Sequence, residues 1–174
     1  MNEGMKMRKI NTPISQDIID SLCVGDKICL SGYIFCGRDA VLPKLVKMGK
    51  EAVSEKLGID LTGSVIFHTA VSPAGVGPTS SNKVEIESSI GPLSSMGVKI
   101  HLGKGAIRQE TIDTLNTYHS VFAVIPPVTA LLKSKTLEQK VIAFEEEGME
   151  AFHMLKVCEI PAIIAAAHGK SIYF

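Results

Sequence analysis

The chain has 174 residues, of which 45% are hydrophobic and 21% are charged. This length and composition predict a single soluble globular domain, spanning residues 1–174, with a substantial core. Eighteen Lys and Arg residues balance eighteen Asp and Glu residues, so the formal net charge is zero. A broad electrostatic surface for nucleic acid is therefore excluded, and any anion-binding site has to be local.

The sequence also argues against a membrane span, a leader and a metal site in this chain. No apolar run approaches the roughly 20 residues of a membrane helix, and the Met/Lys-rich start lacks the apolar segment of a signal peptide. The four cysteines form no CxxC pair, and the five histidines are scattered without ligand spacing. We therefore expect a cytoplasmic protein that does not itself bind a metal or an iron–sulfur cluster.

The first half of the chain alternates between helical and strand patterns. A short capped helix is predicted to begin near Ser15, and a strand is predicted at residues 27–35, with Gly32 at a bulge or close approach. Helical spacing of apolar residues then predicts one helix over residues 42–57, ended by Gly58. A buried strand follows at residues 63–70, and residues 72–82 read as a loop long enough to be functional.

The second half begins as the first does and ends rich in strands. A helix is predicted at residues 81–95, disturbed at Gly91-Pro92, and another at residues 110–118. Strands are predicted at residues 98–102, 120–125, 141–144, 151–157, 162–167 and 171–174. This order predicts an α/β fold with a mixed sheet and flanking helices, in which residues 1–11 are a flexible arm or pair at a sheet edge.

Cations or hydroxyls follow three of the predicted strands, where each strand ends and a helix is about to begin. Arg38 follows the first strand, Thr79, Ser80 and Lys83 follow the second, and Lys104 follows the third. Ligands of open α/β sheets bind at the carboxyl ends of strands, beside the free N–H groups of helix starts. Converging loops of this kind would form an anion pocket, and two or three cations suit a small dicarboxylate.

Each of these residues also has a purely structural interpretation. Arg38 could pair with Asp39, and Thr79 or a neighbouring serine could simply cap the following helix. Lys83 could be a solvated cation on a helix face. Lys104 lies between two glycines, which indicates close approach of the backbone to another group. The residues alone leave these alternatives open.

Several ordered motifs together resemble a known family. They are INTPISQDIIDSLCVGDKICLSGYIFCGRDA, GPTSSNKVE, LGKG, VIPPVTALL and VCEIPAIIAAAHGKSIYF. In this order they resemble the β subunit, or carboxyl-terminal domain, of the iron–sulfur hydro-lyases of the class I fumarase and L-tartrate dehydratase family. The resemblance covers residues 12–174.

The resemblance implies a swivelling β/β/α domain that is inactive alone. It implies a partner, a cysteine-bearing α subunit whose [4Fe–4S] cluster leaves one iron open for substrate, and assembly as (αβ)2 or as a homo-oligomer in isolation. The implied reaction is interconversion of fumarate and (S)-malate. L-tartrate dehydration is the alternative reaction within the family. The alternative from a different functional class is a non-catalytic anion-binding module of the same fold.

The resemblance also implies roles for the candidate residues. The residues that would bind the substrate are Arg38, Thr79, Ser80, Lys83 and Lys104, with Arg38 and Lys104 on its carboxylates. Thr79 would lie beside the carbon that loses its proton, so Thr79 and Lys104 are the implied catalytic residues. A free threonine hydroxyl is too weak a base to act without help from a neighbouring group.

Three departures from the family pattern involve four positions. Lys83 replaces an arginine and lacks its bidentate fork. Leu42 and Pro43 replace a histidine and a basic residue, and Ser80 replaces a threonine. These departures affect the expected substrate more than the reaction type.

Overall fold

The structure is a computed structural model that describes residues 7–38, 40–72, 75–79, 83–125 and 134–173, with side chains described over the same ranges except within residues 70–86. It confirms the predicted α/β class, because a mixed sheet is flanked by helices. Among the helices of these ranges, none is both long and apolar enough to cross a membrane.

The elements, in chain order, are β1 (Arg8–Asn11), α1 (Gln16–Ser21), β2 (Lys27–Cys36), α2 (Leu42–Met48), α3 (Lys50–Leu57), β3 (Val65–Phe67), β4 (Thr69–Ser72), β5 (Gly75–Thr79), α4 (Lys83–Ser95), β6 (Ile100–Gly103), α5 (Gln109–Thr117), β7 (Val121–Val124), β8 (Thr136–Ala143), a 3₁₀ segment (Glu145–Glu150), β9 (Phe152–Ala167) and β10 (Lys170–Ser171).

The main sheet closes into a barrel. Strands β2, β3, β6 and β7 lie side by side and parallel. The long strand β9 runs antiparallel to β2 along one edge and to β7 and β8 along the other, which closes the ring. Strand β1 adds to β2 in parallel, and β4 and β5 form a separate hairpin.

Side chains alternate between the inside of the barrel and its outer face, as the period of a strand requires. Leu30, Phe67 and Leu102 belong to the core inside the barrel. Ile66 faces outward and packs with residues of α2, α3 and α4, while Phe122 packs outward with residues of α5. The helices therefore cover the apolar outer face of the barrel. The ends of the strands are the part of the sheet that the helices leave uncovered for a functional site.

The helix predictions hold except at one point. Helix α1 begins after Ser15, whose Oγ accepts a hydrogen bond from the Ile18 N–H, and Gly58 ends α3 in the left-handed conformation, as predicted. The single helix predicted over residues 42–57 is wrong, because Gly49, with φ of 85° and ψ of 162°, ends α2 and begins α3. Helix α4 includes Pro92 in its interior and continues to Ser95.

The strand predictions need more correction. The strand predicted at residues 63–70 is divided at His68 into β3, in the barrel, and β4, in the hairpin. The predicted loop at residues 72–82 contains β5. The two strands predicted within residues 151–167 are one strand, β9, because β2 pairs with it on both sides of an irregularity in the register, Gly32 with Val157 and Leu30 with Ile160. Strand β8 begins at residue 136 instead of 141, β6 at 100 instead of 98, and residues 172–173 form a turn.

Gly32 lies at the predicted bulge. The register between β2 and β9 shifts between Leu30 and Gly32, and the φ of Gly32 is 109°. A Cβ atom at this position would collide with Thr12 Oγ1, which donates a 2.7 Å hydrogen bond to the Tyr33 carbonyl. Glycine is therefore required here both by its backbone conformation and by the close approach of Thr12.

Candidate functional site

The carboxyl-terminal ends of β2, β3 and β6 meet at one edge of the barrel. Phe67 at the end of β3 lies between Cys36 of β2 and Leu102 of β6 in the strand register. Two hydrogen bonds close these last pairs, since the Gly37 N–H donates to the Phe67 carbonyl and the His68 N–H donates to the Leu102 carbonyl, each at 3.1 Å. The three chains therefore leave the sheet in register.

Two of the predicted cations follow directly where these chains leave the sheet. Arg38 comes after Gly37 and Lys104 after Gly103, and β3 lies between their two strands. At the same edge the chain passes from β3 through His68 into the β4–β5 hairpin, in which Thr69 is the Cα partner of Thr79. Neighbouring strands lie about 4.8 Å apart, so β2 and β6 end about 10 Å apart at this edge.

Arg38 is half-buried and is fixed by the start of α2. Its carbonyl accepts hydrogen bonds from the Val41 and Leu42 N–H groups, at 3.1 and 3.0 Å. Its Nε is buried and has no hydrogen-bond partner in the part of the chain that the structure describes. A buried donor without an acceptor is costly, which makes Arg38 a candidate for contact with an external acceptor. Its alternative partner, Asp39, lies outside the described residues.

Lys104 has an exposed side chain and is flanked by two glycines with different roles. A Cβ atom on Gly103 would lie 3.0 Å from Phe122 Cζ, so glycine at this position leaves room for the Phe122 ring on the outer face of the barrel. Gly105 has a φ of 78°, a conformation that glycine adopts without strain. The close approach indicated by the glycines is therefore at Gly103, and Lys104 leaves the sheet directly after it.

The remaining candidates are only partly described. Thr79 is the last residue of β5, and Lys83 is the first residue of α4. Their side chains and all of Ser80 lie outside the described part of the structure. Four residues of chain span at most about 14 Å, so Lys83 lies within about 14 Å of Thr79. The roles of Thr79, Ser80 and Lys83 stay predictions.

A buried carboxylate fixes α4 against α5. Glu87 Oε1 accepts hydrogen bonds from the Arg108 N–H at 2.9 Å and from Thr111 Oγ1 at 2.5 Å. Arg108 also approaches the same oxygen through its Nε at 3.4 Å. Because Arg108 precedes the first turn of α5, Glu87 satisfies donors that this helix start would otherwise leave unpaired. Helix α4, which begins with Lys83, is thereby held in position.

Two buried histidines form a hydrogen-bonded chain between the sheet and α4. His68 Nε2 lies 3.2 Å from His101 Nδ1, and His101 Nε2 lies 2.9 Å from Ser94 Oγ. Burial lowers the pKa of His68 to about 4. Burial, and next the nearby His68, lower the pKa of His101 well below its ordinary value of 6.5. Both rings are therefore neutral at neutral pH.

Sequence reasoning missed the hydrogen bonds among His68, His101 and Ser94 because it considered the histidines only as metal ligands. His68 directly follows one buried strand and His101 lies within the next, each among apolar neighbours. A histidine in a buried strand needs polar partners. The occurrence of two histidines in neighbouring buried strands was therefore the sequence feature that could have indicated a buried hydrogen-bond network. The partner of His101 on α4, Ser94, could not be read from the sequence because the contact depends on how α4 packs.

The described side chains do not fit a metal cluster. Cys29 and Cys36 are buried, whereas Cys23 and Cys158 are exposed. Burial raises the pKa of the Cys36 thiol, which keeps it protonated and unsuited to ligation. Within the described ranges, no three His, Cys, Asp or Glu side chains form a group that could hold a metal ion.

Known proteins resemble this chain over most of its length. A family model described as Fumarase C-terminus matches residues 1–174. A protein of Methanocaldococcus jannaschii, provisionally named L(+)-tartrate dehydratase subunit beta, is 31% identical over 170 residues, which are 89% of this chain and 85% of that protein. The L(+)-tartrate dehydratase subunit beta of Escherichia coli K12 is 26% identical over 181 residues, with 95% and 87% covered.

A third relative is a longer single chain. A protein of Geobacillus stearothermophilus, provisionally named fumarate hydratase class I, is 25% identical over 178 residues, which are 94% of this chain and 33% of that protein. The same domain thus occurs as a separate subunit and as one third of a longer protein. Since the family model spans all 174 residues, the chain belongs to the Fumarase C-terminus family.

Proposed function

We propose that this chain is the β subunit of a two-chain hydro-lyase that adds water to, or removes it from, a four-carbon dicarboxylate. The single observation that carries the proposal is that β2 and β6, which flank β3, lead into Arg38 and Lys104 at one edge of the barrel, where β3 leads into the hairpin that contains Thr79. The buried Nε of Arg38, which has no hydrogen-bond partner among the described residues, supports it, because a carboxylate oxygen is a suitable acceptor for a guanidinium N–H. The names of the relatives supply the reaction class.

The substrate is proposed as one of two compounds. The sequence motifs favour fumarate, whose hydration gives (S)-malate. The names of the M. jannaschii and E. coli relatives favour L-tartrate, whose dehydration gives oxaloacetate. Both substrates carry two carboxylates across four carbons, so the same pair of cations serves either. Lys83 in place of an arginine supplies a point charge and no fork, which suits a substrate held less rigidly on that side.

The cations act on the charge that develops during the reaction. Removal of a proton from a carbon beside a carboxylate spreads negative charge onto that carboxylate. Arg38 and Lys104, held by the ends of rigid strands, stabilise this charge without having to reorganise. In the dehydration direction, the C–H bond and the neighbouring C–O bond break, a C=C bond forms, and the proton and hydroxide leave as water.

Thr79 is proposed to lie at the carbon that exchanges the proton. Its hydroxyl is too weak a base alone, and the nearby positive charge of Lys104 favours its deprotonated form. The partner subunit's [4Fe–4S] cluster would supply a Lewis acid for the leaving hydroxyl. The complete enzyme would be an αβ unit that pairs into (αβ)2.

The proposal is tested by removing one cation from the assembled enzyme. Lys104→Met, combined with the cysteine-bearing partner subunit under anaerobic conditions, is expected to lower kcat/KM by about 100-fold or more, because a charge-assisted contact to the transition state is lost. Turnover of fumarate and of L-tartrate is followed in parallel, which also identifies the substrate.

Lys56→Met is the matched control, since Lys56 is exposed in the last turn of α3. This variant is expected to retain full activity. If Lys104→Met keeps the wild-type kcat/KM with both substrates, the catalytic proposal fails. That outcome would favour a non-catalytic anion-binding module of the same fold.

A further inference from the structure

One nitrogen of the buried histidine chain is uncommitted. His68 is completely buried, and its Nδ1 has no hydrogen-bond partner among the described residues, whereas its Nε2 contacts His101. Buried polar atoms in folded proteins are nearly always paired with protein, water or ligand. The unpaired Nδ1 of His68 departs from this pattern and therefore requires a structural explanation.

The hydroxyl of Ser94 sets the direction of the hydrogen bonds. Ser94 is buried, and its Oγ contacts His101 Nε2 and no other group in the described part of the chain. If His101 donated to this oxygen, the buried hydroxyl hydrogen would lack an acceptor, which costs free energy. The Ser94 O–H therefore donates to His101 Nε2, and the His101 Nδ1–H donates to His68 Nε2. His68 is left with its proton on Nδ1.

The residue that bears the uncommitted N–H leaves the sheet at the same edge as the predicted cations. His68 follows Phe67 as Gly37 and Gly103 follow the Cα partners of Phe67, and these two glycines immediately precede Arg38 and Lys104. Arg38 Nε is also a buried donor without a partner in the described structure. A carboxylate offers two oxygens and can accept hydrogen bonds from two donors of this kind.

We propose that His68 is a further substrate-binding residue, whose Nδ1–H donates to a carboxylate oxygen of the bound dicarboxylate next to Arg38. His101 and Ser94 are positioning residues that hold His68 in the Nδ1–H tautomer. This inference rests on the proposed function for its ligand, but the direction of the hydrogen bonds does not. The chain of contacts also links the edge of the barrel to α4, whose first residue is Lys83.

The tautomer is measured first, on the full chain without a partner. Long-range 15N–1H NMR of histidine-labelled protein at neutral pH is expected to show His68 and His101 protonated on Nδ1, with signals assigned by His68→Gln and His101→Gln. Ser94→Ala is expected to lower the Nδ1–H population of His68. Finding His68 protonated on Nε2 in the wild-type chain would overturn the proposal.

The ligand contact is measured in the assembled enzyme with two variants that separate the nitrogens. The amide of His68→Asn places an N–H near the position of Nδ1, whereas the amide of His68→Gln lies near the position of Nε2 and keeps the contact to His101. Loss of one hydrogen bond to a charged group predicts that His68→Gln lowers kcat/KM by about 10- to 100-fold, and that His68→Asn stays within about fivefold of wild type. His119→Gln, at an exposed histidine, is the control.

The outcomes separate this inference from the proposed function. Equal losses in His68→Gln and His68→Asn, or wild-type kcat/KM in His68→Gln, would reduce His68 to a packing role and overturn the inference while leaving a working hydro-lyase. A wild-type assembly inactive with both substrates would instead overturn the proposed function. In that case, addition of fumarate to the labelled chain decides: a shift of the His68 Nδ1–H proton supports an anion contact, and an unchanged proton overturns it.

Discussion

Two neutral histidines under α4 make the stability of this domain depend on pH at the scale of single residues. The folded-state pKa of His68, about 4, lies below its ordinary value of 6.5 because burial disfavours the charged ring. The unfolded chain therefore binds more protons than the native state between these values. The contribution of His68 to stability is complete above the unfolded pKa and is lost as pH falls from 6.5 towards 4. The pKa of His101 is shifted in the same direction.

We expect the free energy of unfolding to fall by about 2 kcal/mol from His68 alone between about pH 7.5 and pH 5, with a further loss from His101. Urea unfolding at the two pH values measures this. His68→Gln removes one titrating ring, so its pH-dependent loss should be smaller than that of the wild type. His119→Asn should keep the wild-type difference, because His119 is exposed. A wild-type stability that does not change over this range would contradict the neutral buried pair.

At the scale of elements, the position of α4 depends on one carboxylate. Glu87 accepts hydrogen bonds from the Arg108 N–H and the Thr111 hydroxyl, and it is 7% exposed. Glu87→Ala leaves both donors without their acceptor and opens space between α4 and α5. We expect this variant to lose about 2–3 kcal/mol of unfolding free energy in urea.

Glu55→Ala provides a comparison on an exposed face of α3 and should change stability by less than about 0.5 kcal/mol. Because α4 begins with Lys83, Glu87→Ala should also weaken dicarboxylate binding in the assembled enzyme. Equal stability of the two alanine variants would show that α4 is held by its apolar contacts alone.

The sequence predicts elements well where local signals decide and poorly where pairing decides. Ser15 begins α1 and Gly58 ends α3 because a cap and a left-handed turn are local requirements. The hairpin of β4 and β5 was missed because it depends on partners, not on composition. Strand β9 was predicted as two pieces because the sequence does not show that both of its edges are covered.

The same distinction applies to the candidate site. The positions of Arg38 and Lys104 after successive strands could be predicted, because parallel strands end at a common edge. The contacts of His101 with His68 and Ser94 could not be predicted from the sequence, because they join three segments that are distant in the chain. Helical periodicity over residues 42–57 concealed the break at Gly49, because glycine alone does not specify its φ and ψ.

At the scale of the whole molecule, the closed barrel gathers the carboxyl-terminal ends of β2, β3 and β6 at one edge. The strand ends place cations there, while the cysteines are distributed between the core and other exposed positions. The relative in which this domain is one third of a longer chain supports the expectation that a further domain or subunit completes the site. The chain is accordingly expected to be inactive alone.

The most direct test of this account is reconstitution. Fumarate hydration and L-tartrate dehydration are measured with the chain alone, with the cysteine-bearing partner subunit alone, and anaerobically with both. The account predicts turnover of one of these dicarboxylates in the mixture only. Activity of this chain without the partner, or an intact mixture that turns over neither dicarboxylate, would contradict it.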